Sequence, residues 1–213
     1  ATIAAFTVLR DTGAIVPGDY ALHTRSGDLE IGVGADAVWM DMAPPTDGPT
    51  FSEEEQGALY AAYGLSLADR PEGLEPQAVS TGLMDILLPV RDLDTLDRAV
   101  QNEAEVTRLS EHYNVVGVHM FCPHTPDAAA HCRNFAPLYA IPEEAATGTS
   151  NGALTYYLFR RGLIQAGADN RFVQGEKMGK PSEILSRITE DNGSVKVRVG
   201  GRALITLKCE LMG

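Results

Sequence analysis

The chain reads as a mixed α/β or α+β protein in which many short strands surround a few central helices. Three observations lead there. Strand-like runs recur between Gly, Pro and Asn-Gly turns, at 20–24, 29–33, 38–42, 78–81, 84–90, 115–122, 182–188 and 195–199. Two helical runs, residues 1–13 and 150–162, are apolar on nearly every face, and such helices must be covered on all sides. The two runs also echo each other. Each opens with Thr, Ser or Asn, closes on Arg and Gly, and precedes strand hairpins, which suggests two similar units with a sheet curled around a central helix.

In chain order, the first helix ends at Gly13, and Ser26-Gly27-Asp28 is the expected turn between the first two strands. Residues 44–49 hold three prolines and a glycine, which marks a boundary between domains at 1–49 and 50–213. Ser52 followed by Glu53, Glu54 and Glu55 is a helix start: a hydroxyl cap, Glu at the third position, and acids at the positive end of the dipole. That helix runs to about 63 and stops at Gly64. Asp92 or Asp94 caps a helix expected through about 109. A short strand is expected at 132–137. Asn192-Gly193 makes a hairpin, and Gly200-Gly201 turns into a last strand at 203–209.

At 213 residues the chain can bury a sizeable core, and 44% hydrophobic with 22% charged residues is globular composition. No apolar run approaches the roughly 18 residues of a membrane span. A net charge of −12 argues against a nucleic-acid surface but not against a small anion held in a local site. Cys122, Cys132 and Cys209 are widely spaced and form no C-x-x-C pair, so they read as thiols of a reducing, cytoplasmic compartment. His119, His124 and His131 lack regular zinc-ligand spacing, and no metal or nucleotide site is expected.

The stretch that organises the chain is Pro142-Glu143-Glu144-Ala145-Ala146-Thr147-Gly148-Thr149-Ser150-Asn151. It reads as a tight polar loop opening the second apolar helix, with Thr149 or Ser150 as cap. Free backbone N–H groups and the positive end of the dipole suit an anion such as a carboxylate, and Gly148 allows it close approach.

These residues resemble the PhzF-like family of phenazine-biosynthesis-type isomerases, which has the diaminopimelate epimerase-like fold. Arg133-Asn134-Phe135-Ala136-Pro137 with the run from Ile141 to Leu154 is similar to the family's R-x-F-A-P and I-x-E-D-P-A-T-G-S-A-N-G-A-L signatures. Gln174-Gly175-Glu176-Lys177-Met178-Gly179-Lys180-Pro181-Ser182 resembles its Q-G-x-x-M-G-R-P-S turn. Val79-Ser80-Thr81-Gly82-Leu83 and Val199-Gly200-Gly201-Arg202-Ala203 resemble two further motifs, V-S-T-G-L and V-G-G-x-A. Ala1-Thr2 matches the second half of G-H-A-T.

The resemblance implies an α+β fold of two similar units, the first incomplete, and cofactor-free acid/base proton transfer on a small carboxylic acid. It makes Glu144 and Thr149 the catalytic candidates, and Thr147, Gly148, Thr149 and Ser150 the substrate-binding set. Glu144 stands where the family has Asp, Thr149 where it has Ser, and Ala145 where it has Pro. No Cys lies in the 147–152 loop, which disfavours thiol-based racemisation. The family's strand-end Glu and the Gly-His of G-H-A-T are then expected from a preceding segment or a separate chain, and a homodimer is implied. The alternative is an inert fragment or binding protein that keeps the fold.

Overall fold

The computed structural model describes residues 1–24, 27–123 and 125–209. It falls into two compact units, Ala1–Asp41 with the residues from Gly200 on, and Met42–Val199.

The first unit holds α1 (Thr2–Asp11) and the antiparallel strands β1 (Gly18–Thr24), β2 (Gly27–Val33) and β3 (Val38–Asp41). Gly13, at φ +76°, ends the helix as the sequence predicts. Ile3 and Phe6 of α1 pack on Ile31, Val33 and Val38. The expected turn at Ser26 lies outside the described residues, as does His124. Full cover of α1 is not what this unit shows: Val8 and Leu9 are exposed and only Thr7 is buried.

The second unit carries β4 (Thr46–Thr50), α2 (Glu53–Ala61), β5 (Gln77–Ser80), β6 (Met84–Pro89), α3 (Leu93–Arg98), α4 (Glu103–Tyr113), β7 (Gly117–Pro123), β8 (Ala130–Ala136), β9 (Ile141–Glu144), α5 (Gly148–Arg160), β10 (Asp169–Gln174), β11 (Ser182–Asp191) and β12 (Ser194–Gly201). Its strands run in the order β12-β11-β10-β8-β7-β6-β5-β4, with β9 also on β8. One face of the sheet packs on α5, through Val79, Leu87, Phe121 and Phe172 against Leu154, Tyr157 and Leu158. The other face packs on α2, α3 and α4, through Ile86, Leu88, Met120 and Phe135. Residues Ser150 to Leu158 of α5 are all buried, which is why this helix has no polar face.

Four expectations change. The proline-rich stretch at 44–49 is not wholly a break, because Thr46–Thr50 forms β4, paired with β5 across a bulge. It ends the sheet order, where a proline costs no ladder bond. The helix expected from 92 to 109 is two helices, since Ala99 turns extended and Val100 and Asn102 donate to Tyr63 O and Ala62 O instead. Ile141–Glu144 is a strand rather than loop, and the residues after Gly201 that are described form no strand. The Ser52–Glu55 capping box and the Asn192-Gly193 turn, at φ +49° and +78°, form as read.

Candidate active site

The site grows from one feature of the sheet. β9 and β10 both lie against β8, at different points along it. β10 pairs in parallel so that Gln174 faces Cys132, and β9 pairs antiparallel so that Glu144 faces Asn134. The two strands therefore end close together, and α5 starts in the gap between them.

Gln174, fully buried, closes that gap. Its Nε2 donates to Glu144 O at 2.6 Å and to Thr147 Oγ1 at 3.0 Å. Its Oε1 accepts from Thr147 N at 3.3 Å and Asn151 Nδ2 at 2.9 Å. Every hydrogen-bonding atom of the amide is thus used to hold the 144–151 turn. Gly175 follows at φ +87°, where a Cβ would meet Lys180 O at 2.5 Å and Ala145 Cβ at 2.9 Å, so only glycine fits there.

The two adjacent carboxylates have different fates. Glu143 is gripped by Arg133, whose Nε and Nη2 each donate at 2.9 Å to one of its oxygens. Glu144 is half-buried and accepts from the Thr147 hydroxyl at 2.7 Å. That hydroxyl caps no backbone N–H. The expected Thr149 or Ser150 cap is absent too: Thr147 is the N-cap position, and no side chain caps α5. The Ser150 hydroxyl is instead drawn to Asp85 Oδ2 at 2.6 Å. Thr149 is tied through its carbonyl, which accepts from Thr81 Oγ1 at 3.0 Å. At Gly148 a Cβ would meet nothing of the protein closer than Val199 at 3.5 Å.

The structure thus brings Glu144, Thr147, Gly148, Thr149 and Ser150 into one turn. It adds Gln174, Asn151, Asp85, His119 and Asn134, which residue-type reasoning did not select. Gln174 headed a quoted motif, and an acid inside the apolar 84–90 run was the available signal for Asp85. His119 and Asn134 face each other across β7 and β8, with Nδ1 and Oδ1 3.0 Å apart. Burial pushes His119 down to about 4, so it is neutral at pH 7. Burial pushes Asp85 up to about 6; the Ser150 hydroxyl and the Gly117 N–H oppose the rise, and the Glu144 charge adds to it. His131 is not near a metal cluster but between two carboxylates, Glu176 at 2.6 Å and Asp127 at 3.1 Å. No group of metal-ligating side chains is found among the described residues. No helix among them is long and apolar enough to cross a membrane.

Comparison with known proteins places the chain in a family. A Deinococcus radiodurans protein described as an uncharacterized isomerase is 31% identical over 220 residues, covering 96% of this chain and 69% of the relative. The trans-2,3-dihydro-3-hydroxyanthranilate isomerase of Pseudomonas chlororaphis is 40% identical over 55 residues, 26% of this chain and 20% of that enzyme. Among solved structures, a Pseudomonas aeruginosa protein described as a predicted epimerase superposes with a TM-score of 0.82 at 25% identity, covering 100% of this chain and 73% of its own. The chain spans 57–71% of the length of the first curated relatives it matches. The family model for phenazine biosynthesis-like proteins matches residues 1–209, and the chain belongs to the PhzC-PhzF family.

Proposed function

We propose that this chain carries the carboxylate-holding half of an isomerase site that moves a proton on a small carboxylic acid without a cofactor. The observation that carries the reading is the split between the two acids. Glu143 is committed to Arg133, whereas Glu144 keeps a single hydroxyl partner beside the open first turn of α5. Isomerisation beside a carboxylate needs a group that takes a proton at one carbon and returns it at another. Glu144 is one polar group of the set that does this, with the opposing strand-end Glu as the acid/base. Gly148, Thr149 and Ser150 present N–H groups at the positive end of a buried helix to the substrate carboxylate, with Thr147 orienting Glu144. The protein leaves space for a Cβ at Gly148, so a need for glycine there falls to a ligand.

The relative named as a trans-2,3-dihydro-3-hydroxyanthranilate isomerase motivates that compound as the first substrate to test. The reading includes a cytoplasmic homodimer. It also takes the opposing Glu and Gly-His from polypeptide outside residues 1–213, which contain no Gly-His pair.

The test is solvent deuterium incorporation into that substrate, followed by NMR in D2O. The chain supplied with the polypeptide that carries the opposing Glu and Gly-His is expected to exchange, and its Glu144→Gln variant to lose on the order of 10²-fold or more with an unchanged near-UV spectrum. Undiminished exchange in Glu144→Gln overturns the assignment. Tight binding with no exchange in the protein so completed turns the reading to a binding protein.

A further inference from the structure

A second carboxyl lies beneath the turn that holds Glu144. Asp85 sits in β6 next to Ile86, Leu87 and Leu88 and is 2% exposed. Burying a carboxylate is costly unless it is paired and hydrogen-bonded. The groups that face Asp85 are the Ser150 hydroxyl from α5, 2.6 Å away, the Gly117 N–H from β7, and the Glu144 carboxylate from β9. None of the three is a cation. The stability of the fold gains nothing from this arrangement that an apolar pair would not supply. It does link the first turn of α5 to a proton-binding group on which the Glu144 charge acts.

We infer that Asp85 is a positioning residue of the site: through Ser150 it holds the first turn of α5, and its proton occupancy follows the negative charge placed beside it. The inference rests on the reading that Glu144 and a substrate carboxylate meet at this turn. A buried carboxyl in the shadow of Glu144 gains proton affinity with each further anion. By linkage, an anion then binds better when Asp85 is protonated. If the substrate carboxylate comes to within about 7 Å of Asp85, Coulomb's law at an effective dielectric of about 20–40 gives a coupling on the order of tenfold. Asp85 thereby offsets the charge an anionic substrate brings, while the Ser150 tether keeps Thr149 in place.

The deciding experiment is carboxyl-detected NMR of ¹³C-aspartate-labelled protein across pH 4–8, run on wild type, Glu144→Gln and Ser150→Ala. The Asp85 signal is expected to titrate near pH 6 and to move down when Glu144 loses its charge. A midpoint in the ordinary Asp range, or one unmoved by Glu144→Gln, overturns the inference. Anthranilate, an aromatic acid, supplies the added charge. Calorimetry in two buffers of different ionisation enthalpy is expected to show proton uptake on its binding, abolished in Asp85→Asn, which binds about tenfold tighter than wild type at pH 8. Ser150→Ala keeps the charge and is expected to weaken binding at every pH. A merely structural Asp85 would leave proton uptake intact in Asp85→Asn. The resting titration needs no turnover, so normal Asp85 coupling in a protein without isomerase activity sinks the functional reading and leaves this one standing.

Discussion

Replacing Arg133 by Met removes a buried cation that ties the site to the helical layer. The Arg133 side chain is 9% exposed and that of Glu143 is 16% exposed. Besides its fork onto Glu143, Arg133 donates through Nη1 to Leu96 O at 3.0 Å and Ala99 O at 2.7 Å, where α3 ends. Met preserves most of the stem and deletes the four bonds. Stranding one partner of a buried ion pair costs about 3–5 kcal/mol. Glu143 keeps some access to water, which places its share at the low end, and each orphaned carbonyl adds about 1 kcal/mol. The sum is about 5 kcal/mol, a fall in Tm of about 10–20 °C for a chain of this size. Urea denaturation of Arg133→Met, Glu143→Leu and the double variant measures it. The double variant no longer buries an unpaired carboxylate and is expected to recover about 2 kcal/mol of the loss. A single-variant cost under about 1 kcal/mol, or a double variant no better than Arg133→Met, refutes the buried-pair account.

Asp85 and His119 make opposite contributions to stability against pH. Asp85, raised from 3.8 to about 6 in the fold, binds its proton more tightly folded than unfolded. Its contribution is full below pH 3.8 and is lost as pH rises through 6, a swing of about 3 kcal/mol. His119, lowered from 6.5 to about 4, contributes fully above pH 6.5 and loses a similar amount as pH falls to 4. Wild-type stability is therefore expected to change little from these two groups between pH 4 and 6, whereas Asp85→Asn exposes the His119 slope in urea melts; a flat Asp85→Asn profile contradicts this. Gly175→Ala, which forces a Cβ against Lys180 O and Ala145 at φ +87°, is expected to cost 2 kcal/mol or more and to lower exchange by displacing Gln174; wild-type thermal stability in this variant counts against the geometry. Thiol titration of the native protein is expected to label Cys209 quickly. Cys122, held up to about 11 by burial, and Cys132, held well above its usual value by burial, should react only on unfolding.

What could be read from the chain was whatever is decided within a few residues. The Ser52–Glu55 box and the Asn192-Gly193 turn are local chemistry, and both form as written. The misreadings share a long-range cause. The helix expected to 109 breaks where the carbonyls of Leu96 and Ala99 are captured by Arg133, more than thirty residues on. Ser150 has the makings of a cap, yet its hydroxyl goes to Asp85, 65 residues earlier. Ile141–Glu144, with a proline and two acids after its one β-branched residue, carries little strand propensity of its own and is extended because β8 offers it an edge. The quoted motifs located the turn, while the neighbours that give each acid its character lay elsewhere in the chain.

The sharing of β8 by β9 and β10 turns that strand into a ruler. Gln174 is registered at Cys132 and Glu144 at Asn134, so their separation is counted in residues of β8, about 3.3 Å each. A slip of one residue by either strand would change that spacing by half and also swing its side chain to the opposite face of the sheet. The distance between the Glu144 carboxyl and the amide that orients its loop thus comes in discrete steps. Variation in this site is confined to what the side chains can do within a fixed spacing, as where Glu stands at 144 in place of the family's Asp.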